Sequence, residues 1–272
     1  TINEKTTVAV SLANVTALAS SSITDLETLA SDIADNEFSN ATFLETIAVS
    51  GATIAADALA SLIDSFDDIN GENKTTDMTL ASGATINVAS DEIAAMLADE
   101  SAGRLDIDDQ NITVDDGTIS VETANDLDET TEGTITASID TTESVDTLKT
   151  LTGTTHAYTI VIADDDAETS TAADLNTINE KTTGTIDASA ITVLASDNIT
   201  NIQTLLTAGN DTDQFAAASF GSLTGVTVSD ETLDGSKLAD AIDQANEATG
   251  DTSVVFTISD ATTIEGSEDN FT

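Results

Sequence analysis

The seven residues Thr1-Ile2-Asn3-Glu4-Lys5-Thr6-Thr7 return unchanged as Thr177-Ile178-Asn179-Glu180-Lys181-Thr182-Thr183. A chain that repeats itself over such a distance is modular, and each module folds against its neighbours. The match runs on without a gap: Val15-Thr16-Ala17-Leu18-Ala19-Ser20 aligns with Ile191-Thr192-Val193-Leu194-Ala195-Ser196, Ile23-Thr24 with Ile199-Thr200, and Thr28-Leu29 with Thr204-Leu205. Further on the offset drifts while landmarks persist. Phe38 and Phe43 answer Phe215 and Phe220, Leu59-Ala60 answers Leu238-Ala239, Thr79-Leu80 answers Thr257-Ile258, and Thr85-Ile86 answers Thr263-Ile264. The organisation expected is a first repeat unit over 1–176 and a partial second unit over 177–272, a window onto a longer polypeptide.

What such modules bury is set by composition. Hydrophobic residues make up 39% of the chain, but with only seven Phe, one Tyr and no Trp the core is aliphatic and thin. Fifty-one acids against six bases give a net charge of -45. That balance excludes nucleic acid as a direct partner, because phosphate binding runs on Lys and Arg, and it excludes anionic membrane surfaces for the same reason. It also opposes compaction unless salt screens it or divalent cations sit among the carboxylates. Without Cys there is no disulfide, thiolate nucleophile or sulfur-ligated metal. No run approaches the roughly 18 apolar residues of a membrane-spanning helix, so membrane insertion is not expected.

Along the chain a short β-rich run is followed again and again by a stretch of helical period. Thr46-Ile47-Ala48-Val49 and Ala52-Thr53-Ile54 precede a helical face of Leu59, Leu62, Ile63, Phe66 and Ile69. Thr79-Leu80 and Thr85-Ile86-Asn87-Val88 precede Ser90, which reads as an N-cap for a helix carrying Ile93, Met96 and Leu97. Val226-Thr227-Val228 precedes Leu238, Ala241, Ile242 and Ala245, and Thr185-Ile186 precedes Ile199, Ile202, Leu205 and Leu206. Between 105 and 162 the alternation of two dominates, at Leu105-Asp106-Ile107, Ile112-Thr113-Val114, Ile119-Ser120-Val121, Ile135-Thr136-Ala137 and Tyr158 to Ile162, with helical pieces near Val145 to Leu151 and Ala173 to Ile178. Strand starts near 8, 47, 78, 105, 133, 157, 184, 225 and 254 are spaced like single rungs or βα units. The fold class expected is α/β, an elongated solenoid-like stack of short strands and amphipathic helices in which parallel strands are joined by helical crossovers. The alternative is a string of tandem β-sandwich modules with inserted helices, disfavoured by the absence of Pro.

The segment Leu175-Asn176-Thr177-Ile178-Asn179-Glu180-Lys181-Thr182-Thr183-Gly184-Thr185-Ile186-Asp187-Ala188-Ser189-Ala190-Ile191 resembles the LNTIN-x-x-TTGT-x-DAS repeat of giant, acidic, Thr-rich cell-surface proteins of cyanobacteria, particularly marine unicellular ones. The resemblance covers 1–30 and 172–206. It implies an exported surface or filament protein with roles in adhesion, surface-layer formation or motility. The first copy departs from the pattern, with Val8-Ala9-Val10-Ser11-Leu12 where the second has Gly184 to Ala188, so the local turn need not match.

Chemistry is concentrated in carboxylates. Asp106, Asp108 and Asp109, then Asp115 and Asp116 before Gly117, place acids at strand ends where turns could gather the oxygens that Ca²⁺ prefers. Asp164, Asp165 and Asp166, after the apolar Ile160-Val161-Ile162, form a second candidate metal group, and Asn210-Asp211-Thr212-Asp213 a third. No EF-hand loop and no glycine-rich nonapeptide accompanies them. His156 is the only histidine and lacks a partner for catalysis or zinc, which points to a structural role. Paired carboxylates can hydrolyse glycosides, but such sites need aromatic platforms that a chain without Trp does not offer. Lys5 and Lys181 recur within the repeat and are expected to pair with carboxylates.

Together these features predict a non-catalytic structural repeat segment of a giant secreted cell-surface or extracellular filament protein, self-associating or packed on tandem neighbours of the same repeat, with Ca²⁺ as a possible ligand. The alternative is an adhesin module that recognises a surface glycan or protein in a calcium-dependent way.

Overall fold

The structure is a computed structural model that describes residues 8–39, 44–70, 76–163, 169–250, 254–261 and 263–266. Among these residues it is mixed α/β, with eight helices and with parallel sheets. The antiparallel ladders of a β-sandwich are absent from the described strands. The chain divides into two compact units, Thr1–Gly117 with Leu127–Ile135, and Thr118–Asp126 with Thr136–Thr272.

The first unit runs β1 (Val10–Ser11), β2 (Ala17–Ser21), α1 (Ile23–Ala34), β3 (Phe38–Ser39), β4 (Thr46–Val49), β5 (Thr53–Ala55), α2 (Ala56–Asn70), β6 (Asp77–Leu80), β7 (Thr85–Ala89), α3 (Ile93–Ser101), β8 (Leu105–Asp106) and β9 (Asn111–Asp116). From β4 onward each cycle is strand, turn, strand, helix, and each of these strands pairs with its counterpart one cycle away, while β1 and β3 form a separate parallel pair. One sheet has the order β2-β4-β6-β8, and β5, β7 and β9 adjoin in that order in another. Register puts Ile47, Met78 and Leu105 side by side in the first and Ile54, Ile86 and Ile112 in the second. All six are buried, because alternation of two sends every second residue to the same face. Helix α2 buries Leu59, Leu62, Ile63 and Phe66 as its period predicts, and packs against α1 and α3.

The second unit continues with α4 (Val121–Thr130), whose first turns belong to it, β10 (Ile135–Ser138), α5 (Val145–Leu148), β11 (Ala157–Val161), α6 (Ala172–Asn179), β12 (Ile186–Asp187), β13 (Val193–Asp197), α7 (Ile199–Gly209), β14 (Gly225–Val228), β15 (Thr232–Asp234), α8 (Gly235–Thr249), β16 (Val255–Ile258) and β17 (Thr263–Glu265). Its strands adjoin as β10-β11-β12, β13-β14-β16 and β15-β17. Helices α5, α6, α7 and α8 pack each on the next.

The elements recur as the residues do. The run β2-α1 is answered by β13-α7, β4-β5-α2 by β14-β15-α8, and β6-β7 by β16-β17. Both α2 and α8 have 15 residues. Even an irregularity returns: pairing of β2 with β4 slips between Leu18 and Ser21, and pairing of β13 with β14 slips between Leu194 and Asp197.

Two local expectations are corrected. Ile119-Ser120-Val121 is no strand: Ile119 makes a single bridge to Ile139, and Val121 opens α4. Ser120 caps that helix, accepting from Thr123 N–H at 3.1 Å, and Val121, Ala124 and Leu127 fall on its buried face. The apparent alternation was the entry to a helix. Ser90, conversely, does not cap α3, whose N-cap is Glu92. The N–H of Ser90 donates to Asp116 O at 2.9 Å, which ties it to β9, while the Glu92 carboxylate reaches back to Ala89 N–H at 3.3 Å.

A four-residue pattern, Thr-x-Gly-Thr, locks successive cycles together in both units. Thr182 Oγ1 donates to Tyr158 O at 2.8 Å and accepts from Tyr158 N–H and Gly184 N–H, each at 2.8 Å. Thr131 Oγ1 likewise donates to Gln110 O at 2.7 Å and accepts from Gly133 N–H at 3.0 Å. The glycine lets the two backbones meet: a Cβ at Gly184 would lie 2.4 Å from Tyr158 O, and one at Gly133 would lie 2.0 Å from Gln110 O.

Candidate functional site

The acidic turns stand at the ends of the inner strands. Asp106 closes β8, and its Oδ1 accepts from Asp108 N–H at 3.2 Å, so the strand ends there rather than carrying Asp106 and Asp108 on one extended face. Asp109 Oδ1 accepts from Gln110 Nε2 at 2.6 Å. Asp115 and Asp116 are the last residues of β9. All five side chains are exposed. Asp211, in the third cluster, accepts from Asp213 N–H at 3.0 Å and Gln214 Nε2 at 2.8 Å. Those hydrogen bonds, the one from Gln214 foremost, hold its carboxyl below the usual range. Among the described residues no three His, Cys, Asp or Glu are grouped so as to hold a metal ion. Asp164, Asp165 and Asp166, and also Lys5, lie outside the described residues.

Asp77 is the acid most affected by its surroundings near these turns. Asp77 on β6 is half-buried; burial pushes its carboxyl up, and the Asp106 charge pushes it further. A carboxyl raised on folding contributes stability that is full below its unfolded value of 3.8 and lost as pH rises through the folded value. Asp77→Asn is therefore expected to stabilise the protein at pH 7 by less than about 1 kcal/mol and to flatten its stability between mildly acidic and neutral pH. Urea titrations at a series of pH values read both effects. Equal pH slopes for the two proteins would refute the assignment.

A three-residue charge cluster joins α2, α3 and the start of β8. Arg104, just before β8, donates through Nη2 to Asp99 on α3 and through Nη1 to Asp67 on α2 at 3.4 Å. Its backbone N–H also donates to Asp99 O at 2.9 Å. Asp99 is buried, while Arg104 Nε and Asp67 Oδ1 are buried with no hydrogen-bond partner. The carboxyl of Asp99 is raised, chiefly by burial, although Arg104 opposes that. Beside it lies a cavity of about 70 Å³ lined by Ala56, Leu59, Ala60, Met96 and Leu105. That volume falls well short of the roughly 300 Å³ of a small-molecule site.

The remaining polar groups serve the scaffold. Buried Asp197 accepts from Ala173 N–H at 2.6 Å, Asn198 N–H at 2.7 Å and Asn201 Nδ2 at 2.9 Å, which joins the starts of α6 and α7. Its aligned residue in the first copy is Ser21, so the repeat gave no hint of it. His156 is buried with its ring 5.5 Å from that of Tyr158. Lys149 Nζ pairs with Asp174 at 2.6 Å and Asp146 at 2.8 Å. Burial would raise Asp174, but hydrogen bonds from Lys149 and Thr171 hold it low.

No known protein family matches the chain, and neither a curated protein nor a solved structure resembles it. No helix among the described residues is long and apolar enough to cross a membrane.

Proposed function

We propose that the chain is a non-catalytic structural segment of a giant secreted cell-surface or extracellular filament protein, coiled as an α/β solenoid whose cycles stack along one axis. The observation that carries this reading is the double recurrence of residues and elements: β4-β5-α2 returns as β14-β15-α8, with strands paired in parallel to the next cycle in each unit. The likeness of Leu175 to Ile191 to the cyanobacterial surface repeat supports export to the cell exterior.

In this reading function is mechanical. Small aliphatic ladders bury one cycle on the next, and the number of cycles sets length. The charge of -45 keeps neighbouring chains hydrated and apart. Calcium enters as a counter-ion for the exposed carboxylates at Asp106 to Asp109 and at Asp115 and Asp116, lowering their mutual repulsion.

The test is small-angle X-ray scattering on this chain and on one lengthened by a further copy of residues 1–176. A solenoid gains length in proportion to the added residues while its cross-section stays constant. If instead the radius of gyration follows the shallow growth of a compact particle, near the 0.38 power of chain length, the solenoid reading fails. Glycan binding would then become the assay to pursue.

A further inference from the structure

The paired edges of β16 and β17 differ from their counterparts in the first unit in one respect. Strand β6 lies between β4 and β8, and β7 between β5 and β9, whereas β16 adjoins only β14 and β17 only β15 among the described strands. Burial follows. Met78 and Ile86 are each 0% exposed, while Ile264, aligned with Ile86, is 45% exposed, and Val255 and Ile258 on β16 are 61% and 37% exposed. In a chain with 51 acids, Val255-Phe256-Thr257-Ile258 carries no charge. Lys, Pro and inward charges are the usual means of blunting a strand edge, and β16 has none of them.

We propose that the β16–β17 edge is an acceptor for one further cycle of the same repeat, a strand-turn-strand segment of the β8–β9 pattern added in parallel and joined in tandem through a helix like α3. This rests on the solenoid reading. The first unit supplies the register. There Met78 N–H donates to Arg104 O at 2.9 Å, and Ile86 lies beside Ile112. The aligned positions are Phe256 and Ile264, so Phe256 N–H is the donor to the incoming strand and Ile264 receives an isoleucine at its flank. Specificity follows from the ladder: Leu194, Val226 and Phe256 stand side by side as Ile47, Met78 and Leu105 do, and an aliphatic residue extends that row.

The experiment appends a copy of residues 95–135 to Thr272, which continues the repeat in register, and measures amide hydrogen exchange. A second chain carries the same residues in scrambled order. With the native extension, exchange at Phe256 is expected to slow by about 100-fold relative to both the original chain and the scrambled one, and exchange at Val226 stays as it was. Equal exchange at Phe256 in the native and scrambled extensions overturns the proposal. So does protection of Phe256 in the original chain that rises with protein concentration, since a second copy would then be the occupant. Scattering of the chain lengthened by residues 1–176 reads the solenoid independently, so the edge can fail while the solenoid stands.

Discussion

Gly184→Ala is expected to destabilise the protein by about 3 kcal/mol or more, at the upper end of what overpacking costs, and Gly133→Ala by at least as much. At Gly184 the added Cβ would sit 2.4 Å from Tyr158 O and 2.8 Å from Tyr158 C; at Gly133 it would sit 2.0 Å from Gln110 O and 2.4 Å from Gln110 C. The obstacle is backbone rather than the tip of a flexible side chain, so relief requires one cycle to move off the next. That movement would also break the Thr182 bonds to Tyr158 N–H and O, leaving buried groups unpaired at about 1–3 kcal/mol each. Gly83→Ala is the control. Its Cβ would meet nothing within 4 Å, and its φ of +70° makes the cost one of backbone conformation alone, about 1–2 kcal/mol. Urea denaturation followed by circular dichroism ranks the three. If Gly184→Ala falls no further than Gly83→Ala, Thr-x-Gly-Thr is not a lock.

That lock shows what the sequence discloses and what it withholds. Thr182-Thr183-Gly184-Thr185 stands out as part of a repeat, yet its spacing does not reveal that Thr182 reaches back 24 residues to Tyr158. Strand starts were legible because Ile47 and Val49, Ile86 and Val88, and Val226 and Val228 keep a period of two with smaller or polar residues between them, and α2 because Leu59, Leu62, Ile63 and Phe66 keep a helical period. Helix α4 was not, because Ile119-Ser120-Val121 satisfies the strand pattern until the Ser120 cap is recognised. The metal candidates were read from acid density, and density does not determine convergence. Asp106 turns its oxygen to Asp108 N–H, a choice made by local geometry. Arg104 was invisible as an anchor for the opposite reason. Its partners Asp67 and Asp99 lie on two helices, and only the fold brings three such separated positions together.

The second large effect belongs to that anchor. Arg104→Met is expected to cost about 2–3 kcal/mol at pH 7, below the 3–5 kcal/mol of a fully buried pair because the Arg104 side chain is 31% exposed and partly screened. Methionine keeps the bulk of the stem and removes the cation that Asp99 and Asp67 share, while Asp64 adds to the like charge around Asp99. The pH dependence separates this from lost packing. Burial already raises the Asp99 carboxyl, and Arg104 is what restrains the rise. Without it the folded-state value moves higher still, and the native state holds its proton over a wider range than the unfolded chain, whose value is 3.8. The stability tied to that proton is full below 3.8 and lost as pH climbs through the folded value, so the gap between wild type and variant is widest near neutrality and narrows on acidification. Adding Asp99→Asn to Arg104→Met removes the titrating group and is expected to recover most of the loss at pH 7. Arg104→Lys keeps a charge without the two-armed reach to both helices and falls between the two proteins. Urea midpoints for the four proteins from pH 4 to pH 8 decide the matter: a penalty that stays constant across that range would mean that Arg104 contributes its hydrocarbon stem and not its charge.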